Sequence, residues 1–100
     1  MRKITEQSSL AFRRAKRFSM GNTRVVIDTE KDMVKMYLHD NLIAYRHLAV
    51  KQFVITNKGW FSNVTKERLN ALPNVHIHQR DWKWYLNGEQ WDGTPQVIHL

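Results

Sequence analysis

The stretch from Thr23 to Arg46, TRVVIDTEKDMVKMYLHDNLIAYR, decides the fold. Val25 and Ile27 share one side of residues 23–29, and Val34, Met36 and Leu38 share one side of residues 33–38, with Lys35 and Tyr37 opposite. Successive side chains of an extended chain point to opposite faces, so this period of two marks half-buried strands. Glu30-Lys31-Asp32 and His39-Asp40-Asn41 divide them, and Asp and Asn tolerate the left-handed backbone of a tight turn. Leu42 to Arg46 reads as a third strand. Connections this short pair strands antiparallel, since a parallel pair needs a crossover of about a dozen residues or more.

Downstream, Phe53 and Ile55 share one face of a strand over 52–56, and Asn57-Lys58-Gly59 turns the chain. A helix is predicted after Trp60-Phe61, with Ser62, Asn63 and Thr65 as candidate caps. Its segment TKERLNAL (65–72) sets Leu69 and Leu72 on one side and Lys66, Glu67 and Asn70 on the other, and Pro73 stops it. Val75, Ile77 and Gln79 then alternate with His76, His78 and Arg80, and Trp82, Trp84 and Leu86 alternate with Lys83 and Tyr85. Asn87-Gly88 is the strongest hairpin signal in the chain. Asp92-Gly93 is a further turn, and Val97, Ile98 and Leu100 suggest a last short strand.

Upstream, residues 5–18 read as a helix. Ala11, Ala15 and Phe18 fall at i, i+4 and i+7 beside Leu10, Ser8 or Ser9 is placed to cap the start, and Gly21-Asn22 ends the segment. The sequence thus predicts an α+β fold: an antiparallel sheet of five to seven short strands, one packed helix and a basic N-terminal helix. Residues 1–20 read as a basic helical arm and residues 21–100 as a single domain.

The 100 residues carry a net charge of +7, unevenly. Residues 1–24 hold seven cations (Arg2, Lys3, Arg13, Arg14, Lys16, Arg17, Arg24) against the single acid Glu6, whereas the remainder is close to neutral. Such asymmetry points to a polyanionic partner. With no cysteine there is no disulfide, thiolate nucleophile or cysteine-based metal site. No apolar run approaches the roughly 20 residues that span a bilayer, no signal-peptide pattern is present, and a reducing compartment is expected. The stripe of Leu10, Ala11, Ala15 and Phe18 is too small for a membrane anchor.

Catalytic patterns are missing: no G-x-S-x-G, no P-loop and no G-x-G-x-x-G, the four glycines being dispersed among turns. His76 and His78 share a strand face, but a third ligand would have to come from His39, His47, His99 or Asp81, which nothing in the spacing requires. No enzyme, cofactor or metal is expected.

Three stretches together resemble a known family: Asn22-Thr23-Arg24-Val25, then Leu38-His39-Asp40-Asn41-Leu42-Ile43-Ala44, then Gly59-Trp60-Phe61-Ser62-Asn63-Val64-Thr65-Lys66-Glu67-Arg68-Leu69-Asn70. They are similar to small proteins encoded by tailed bacteriophages, over roughly residues 22–72. Asp40 stands where that pattern carries glycine. The resemblance implies a phage origin and action in the cytoplasm of the bacterial host; it implies no functional residues.

Two functions are therefore expected in competition. The first is an accessory protein that binds nucleic acid, DNA or RNA, with little sequence specificity. Arg13, Arg14, Lys16, Arg17 and Arg24 would contact phosphates, and Trp60, Lys66, Arg68, Lys83 and Trp84 would add stacking and charge. The alternative is a host-takeover protein that binds and inhibits a bacterial protein through the Trp-rich hairpin around Trp82, Trp84 and Trp91.

Overall fold

The computed structural model describes residues 2–99. Helix α1 (Lys3–Arg14) is followed by strands β1 (Phe18–Met20), β2 (Thr23–Asp28), β3 (Met33–Leu38), β4 (Asn41–His47) and β5 (Gln52–Ile55), then helix α2 (Asn63–Asn70), then β6 (Ile77–Arg80), β7 (Lys83–Leu86), β8 (Glu89–Gln90) and β9 (Gln96–His99). The fold is α+β, as the alternation predicts. Its strands divide between two antiparallel sheets, one ordered β1-β2-β3-β4-β5-β9 and a small one ordered β6-β7-β8. Leu100, read as part of the last strand, lies outside the described residues.

The predicted strand pattern sets the register. Val25 faces Met36 and Ile27 faces Val34 across β2 and β3. Between β3 and β4 the register slips after Met36, so that Met36 pairs with Ala44 and Tyr37 with Leu42. Ile43 is the extra residue of this bulge, and both Ile43 and Ala44 end up buried. The turn before β4 takes left-handed backbone at His39 (φ 49°) and Asp40 (φ 64°), so Asp40 adopts the conformation a glycine would supply there.

The core lies between the large sheet, the two helices and the inward side of β6–β7. It gathers Phe12, Val25, Val34, Met36, Phe53, Ile55, Leu69, Trp84 and Ile98, among others. Burial of this apolar area is the main stabilising term. No helix among the described residues is long and apolar enough to cross a membrane.

The N-terminal segment differs most from its prediction. The helix starts at Lys3 and ends at Ala15, a left-handed residue (φ 54°) whose amide donates to the Ala11 carbonyl. Phe18 leaves the helix and pairs with Val25 as the edge strand β1. Ser8 and Ser9 do not cap; they face inward, Ser8 Oγ donating to the Thr5 carbonyl and Ser9 Oγ to the Ala71 carbonyl. Small residues there let α1 approach α2. The buried face is Thr5, Ser8, Ser9, Ala11 and Phe12, while Leu10 is exposed. The segment does not stand off from the body: Phe12 is 1% exposed and meets Phe53 edge-on at 5.7 Å.

Candidate nucleic-acid interface

Arg13, Arg14, Lys16 and Arg17 sit at the end of α1 and in the loop that follows, outside the buried face of the helix. None has a carboxylate within 4 Å among the described residues, where the ion pairs are Arg2–Glu67, Arg24–Asp40, Lys35–Asp28, Arg68–Glu67 and Arg80–Asp81. Cations at a helix C-terminus are favoured by the macrodipole. Four within five residues also repel one another, so the fold holds a concentrated positive potential open to an anion. Arg14, Lys16 and Arg17 line one shallow groove with Gln7, Leu10 and Ala11. Arg13 turns to another groove, with Arg46 and Lys51 over Leu48, Val50 and Phe53. No pattern in the sequence marks Arg46. It donates to the Phe12 and Arg13 carbonyls and so closes the end of α1.

The other predicted contacts divide. Arg24 is exposed on the outward face of β2, 3.3 Å from Asp40 and above the Tyr37 ring. Trp60 is 60% exposed and Lys66 is half-buried on α2. Lys83 is exposed beside the β6–β7 turn.

Two assignments fail. Arg68 is 1% exposed, its guanidinium donating to Thr23 Oγ1 (2.9 Å), Thr5 Oγ1 (2.7 Å), Glu67 Oε2 (3.2 Å) and Asn22 Oδ1 (3.4 Å). It ties α1, β2 and α2 together and cannot reach a phosphate. Glu67 faces both Arg68 and Arg2; hydrogen bonding from Arg2, above all, pulls its carboxyl down to about 2. Trp84 is 2% exposed, packed edge-on against Phe61 and beside Trp91. The sequence places Trp82 and Trp84 on one face of one strand. In the structure Asp81-Trp82 is the turn itself, so Trp82 is 92% exposed while Trp84 and Leu86 point inward.

The two longer motif blocks meet at a cleft of about 110 Å³ lined by Leu38, His39, Ile43, Asn57, Trp60 and Thr65, among others. Ser62 caps α2 by accepting from the Thr65 amide at 3.1 Å. Asn57 is fully buried beneath it: Oδ1 accepts from the Gly59 amide, and Nδ2 has no partner among the described residues. His76 and His78 are exposed, and among the described residues no three of His, Cys, Asp or Glu converge as a metal site.

Fold and surface together define a small α+β protein with unpaired cations at the end of α1 and exposed rings at Trp60, Phe61 and Trp82 among the described residues. The chain belongs to a bacteriophage family: the model described as Kyanoviridae Gp96 protein matches residues 1–97. This supports the phage origin that the resemblance implies, and the match takes in the basic N-terminal helix. No curated protein and no solved structure matches the chain.

Proposed function

We propose that the protein binds nucleic acid with little sequence specificity, in the cytoplasm of the bacterial host, through the cations at the end of α1. The observation that supports this is that Arg13, Arg14, Lys16 and Arg17 lie on the surface without acidic partners among the described residues, on a helix whose opposite face is fixed in the core. A rigid display of cations suits a phosphate backbone, which presents charge at regular spacing irrespective of sequence.

The test is the salt dependence of binding to an unspecific duplex and to a single strand. The slope of log K against log salt should be steep. Changing all four residues to Gln should reduce it by roughly 0.7–0.9 for each phosphate that is no longer neutralised, with the melting temperature held because no inward-facing group changes. A flat slope in the wild type would refute the proposal. The alternative, a host bacterial protein bound through the Trp-rich hairpin, is left with Trp82 as its exposed ring, since Trp84 and Trp91 are buried. A stoichiometric host protein recovered after nuclease treatment would favour it.

A further inference from the structure

The turn between β6 and β7 departs from ordinary turn chemistry. Asp81 (φ 51°) and Trp82 (φ 68°) both adopt left-handed backbone, as a two-residue type I′ hairpin requires. Asp is at home there; a bulky aromatic is not, because its Cβ crowds the following carbonyl. The next hairpin, β7–β8, meets the same demand with Asn87 (φ 50°) and Gly88 (φ 91°). Trp82 nonetheless occupies the strained position and packs against almost nothing, whereas Trp84 and Trp91 of the same region are buried. Neither backbone preference nor core packing accounts for the ring at this tip.

Its surroundings suggest what does. Arg80 and Lys83 face each other across the last pair of the hairpin, immediately beside Trp82, and both are exposed. The next outward-facing pair is His78 and Tyr85, whose rings stack at 5.2 Å, 11° from parallel. The inward side of the hairpin carries Ile77, Trp84 and Leu86 into the core, so the ribbon is anchored along its length and free at its tip. Asp81 pairs with the Arg80 guanidinium at 3.9 Å, too far for a good hydrogen bond, and an exposed pair of this kind is screened by solvent and weak enough for a phosphate to displace.

We propose that the β6–β7 hairpin is a single-strand binding element: Trp82 stacks on an unpaired base while Arg80 and Lys83 hold the flanking phosphates. This rests on the nucleic-acid reading above and narrows it to strands with free base faces. In a duplex both faces of an interior base are covered, and inserting a ring requires unstacking. The positive charge beside the ring favours a polyanion over a neutral or basic protein surface.

The experiment measures binding of a labelled oligothymidylate and of a duplex of equal length by anisotropy at low salt. It compares the full chain with W82A, W82F, the double variant D81N/W82G and the quadruple variant R13Q/R14Q/K16Q/R17Q. Base–aromatic stacking predicts that W82A weakens strand binding about ten-fold or more, that W82F restores most of it, and that duplex binding shifts by less than about two-fold. D81N/W82G places good turn residues at strained positions, so it should melt higher than wild type while losing strand binding. A W82A variant that binds the strand like wild type would overturn the inference. So would a D81N/W82G variant that melts lower, which would make Trp82 a structural residue. If the quadruple variant loses binding to both probes and W82A to neither, the hairpin assignment alone fails. If wild type binds neither probe, the nucleic-acid reading fails and takes this inference with it. A host protein retained after nuclease by wild type but lost by W82A would assign the tip to a protein partner and overturn it as well.

Discussion

Changing Arg68 to Ala should remove a large share of the stability. The guanidinium makes three good hydrogen bonds, to Thr5, Thr23 and Glu67, and a longer one to Asn22. Bonds to charged groups contribute about 1.5–3 kcal/mol each. Against that stands the cost of burying the cation, several kcal/mol, so the intact network is close to neutral. Burial also lowers the Arg68 pKa, and Glu67 is the only carboxylate against it among the described residues.

Truncation is not neutral. It removes the charged donor from the buried Thr5 and Thr23 hydroxyls, leaving Thr23 only its bond to Asn22 Oδ1, and opens a void between the helices and β2. Glu67 keeps Arg2 as its partner, so the loss comes from the void and from the weakened hydrogen bonds, together about 3–5 kcal/mol. The whole margin of a small domain is about 5–15 kcal/mol. At about 4–8 °C per kcal/mol for a domain of this length, Tm should fall by roughly 12–40 °C. Thermal and urea unfolding of R68A would measure it. A companion variant, R68M with T5V and T23V, replaces the polar partners together and should recover much of the loss, whereas R68M alone should not. A loss below about 1 kcal/mol in R68A, or equal stability of R68M and the triple variant, would refute the reasoning.

Glu67, depressed from 4.5 to about 2 chiefly by its hydrogen bonds from Arg2, binds fewer protons folded than unfolded between those values. Its stabilisation is therefore complete above about pH 4.5 and lost as pH falls towards 2, so the Tm gap between wild type and E67Q should be widest near neutrality and close at the acid end. Gly93→Ala should be worse than Gly59→Ala: both have left-handed backbone, but a Cβ on Gly93 would overlap the buried Asn57 amide, whereas one on Gly59 meets nothing within 4 Å. Gly93→Ala is expected to cost roughly 2 kcal/mol or more in urea unfolding, and equal losses at the two sites would contradict the packing.

Much of this fold is legible locally. Alternation over 23–38 places strand faces, Ser62 caps α2, and Asn87-Gly88 makes its hairpin. What escapes depends on distant partners. Ala15 ends α1 in a conformation no propensity favours, because the chain must reverse there for Phe18 to pair with Val25. Arg68 reads as a surface cation by helical spacing until Thr5, Thr23 and Glu67 surround it. The tryptophans mislead through a single shift: placing the turn at Asp81-Trp82 turns two same-face residues into one exposed and one buried ring. Sequence spacing detects a basic and aromatic surface but cannot say which rings reach it.

The same geometry explains how the N-terminal helix can serve both core and surface. The charge of residues 1–24 is not all available: Arg2 is engaged by Glu67 and Arg24, on β2, by Asp40. The cations proposed to meet phosphate begin where the buried face ends, after Phe12. A deletion of the first twenty residues would therefore remove Thr5 from the Arg68 network and Phe12 from the core together with the charge. Loss of binding in such a chain would report unfolding, not recognition. The four Gln substitutions touch only the outward groups, since Arg46 holds the backbone carbonyls of Phe12 and Arg13 and not the Arg13 side chain. A protein that keeps its melting temperature but loses its salt slope on those four changes would separate the structural half of the helix from the half that meets a polyanion.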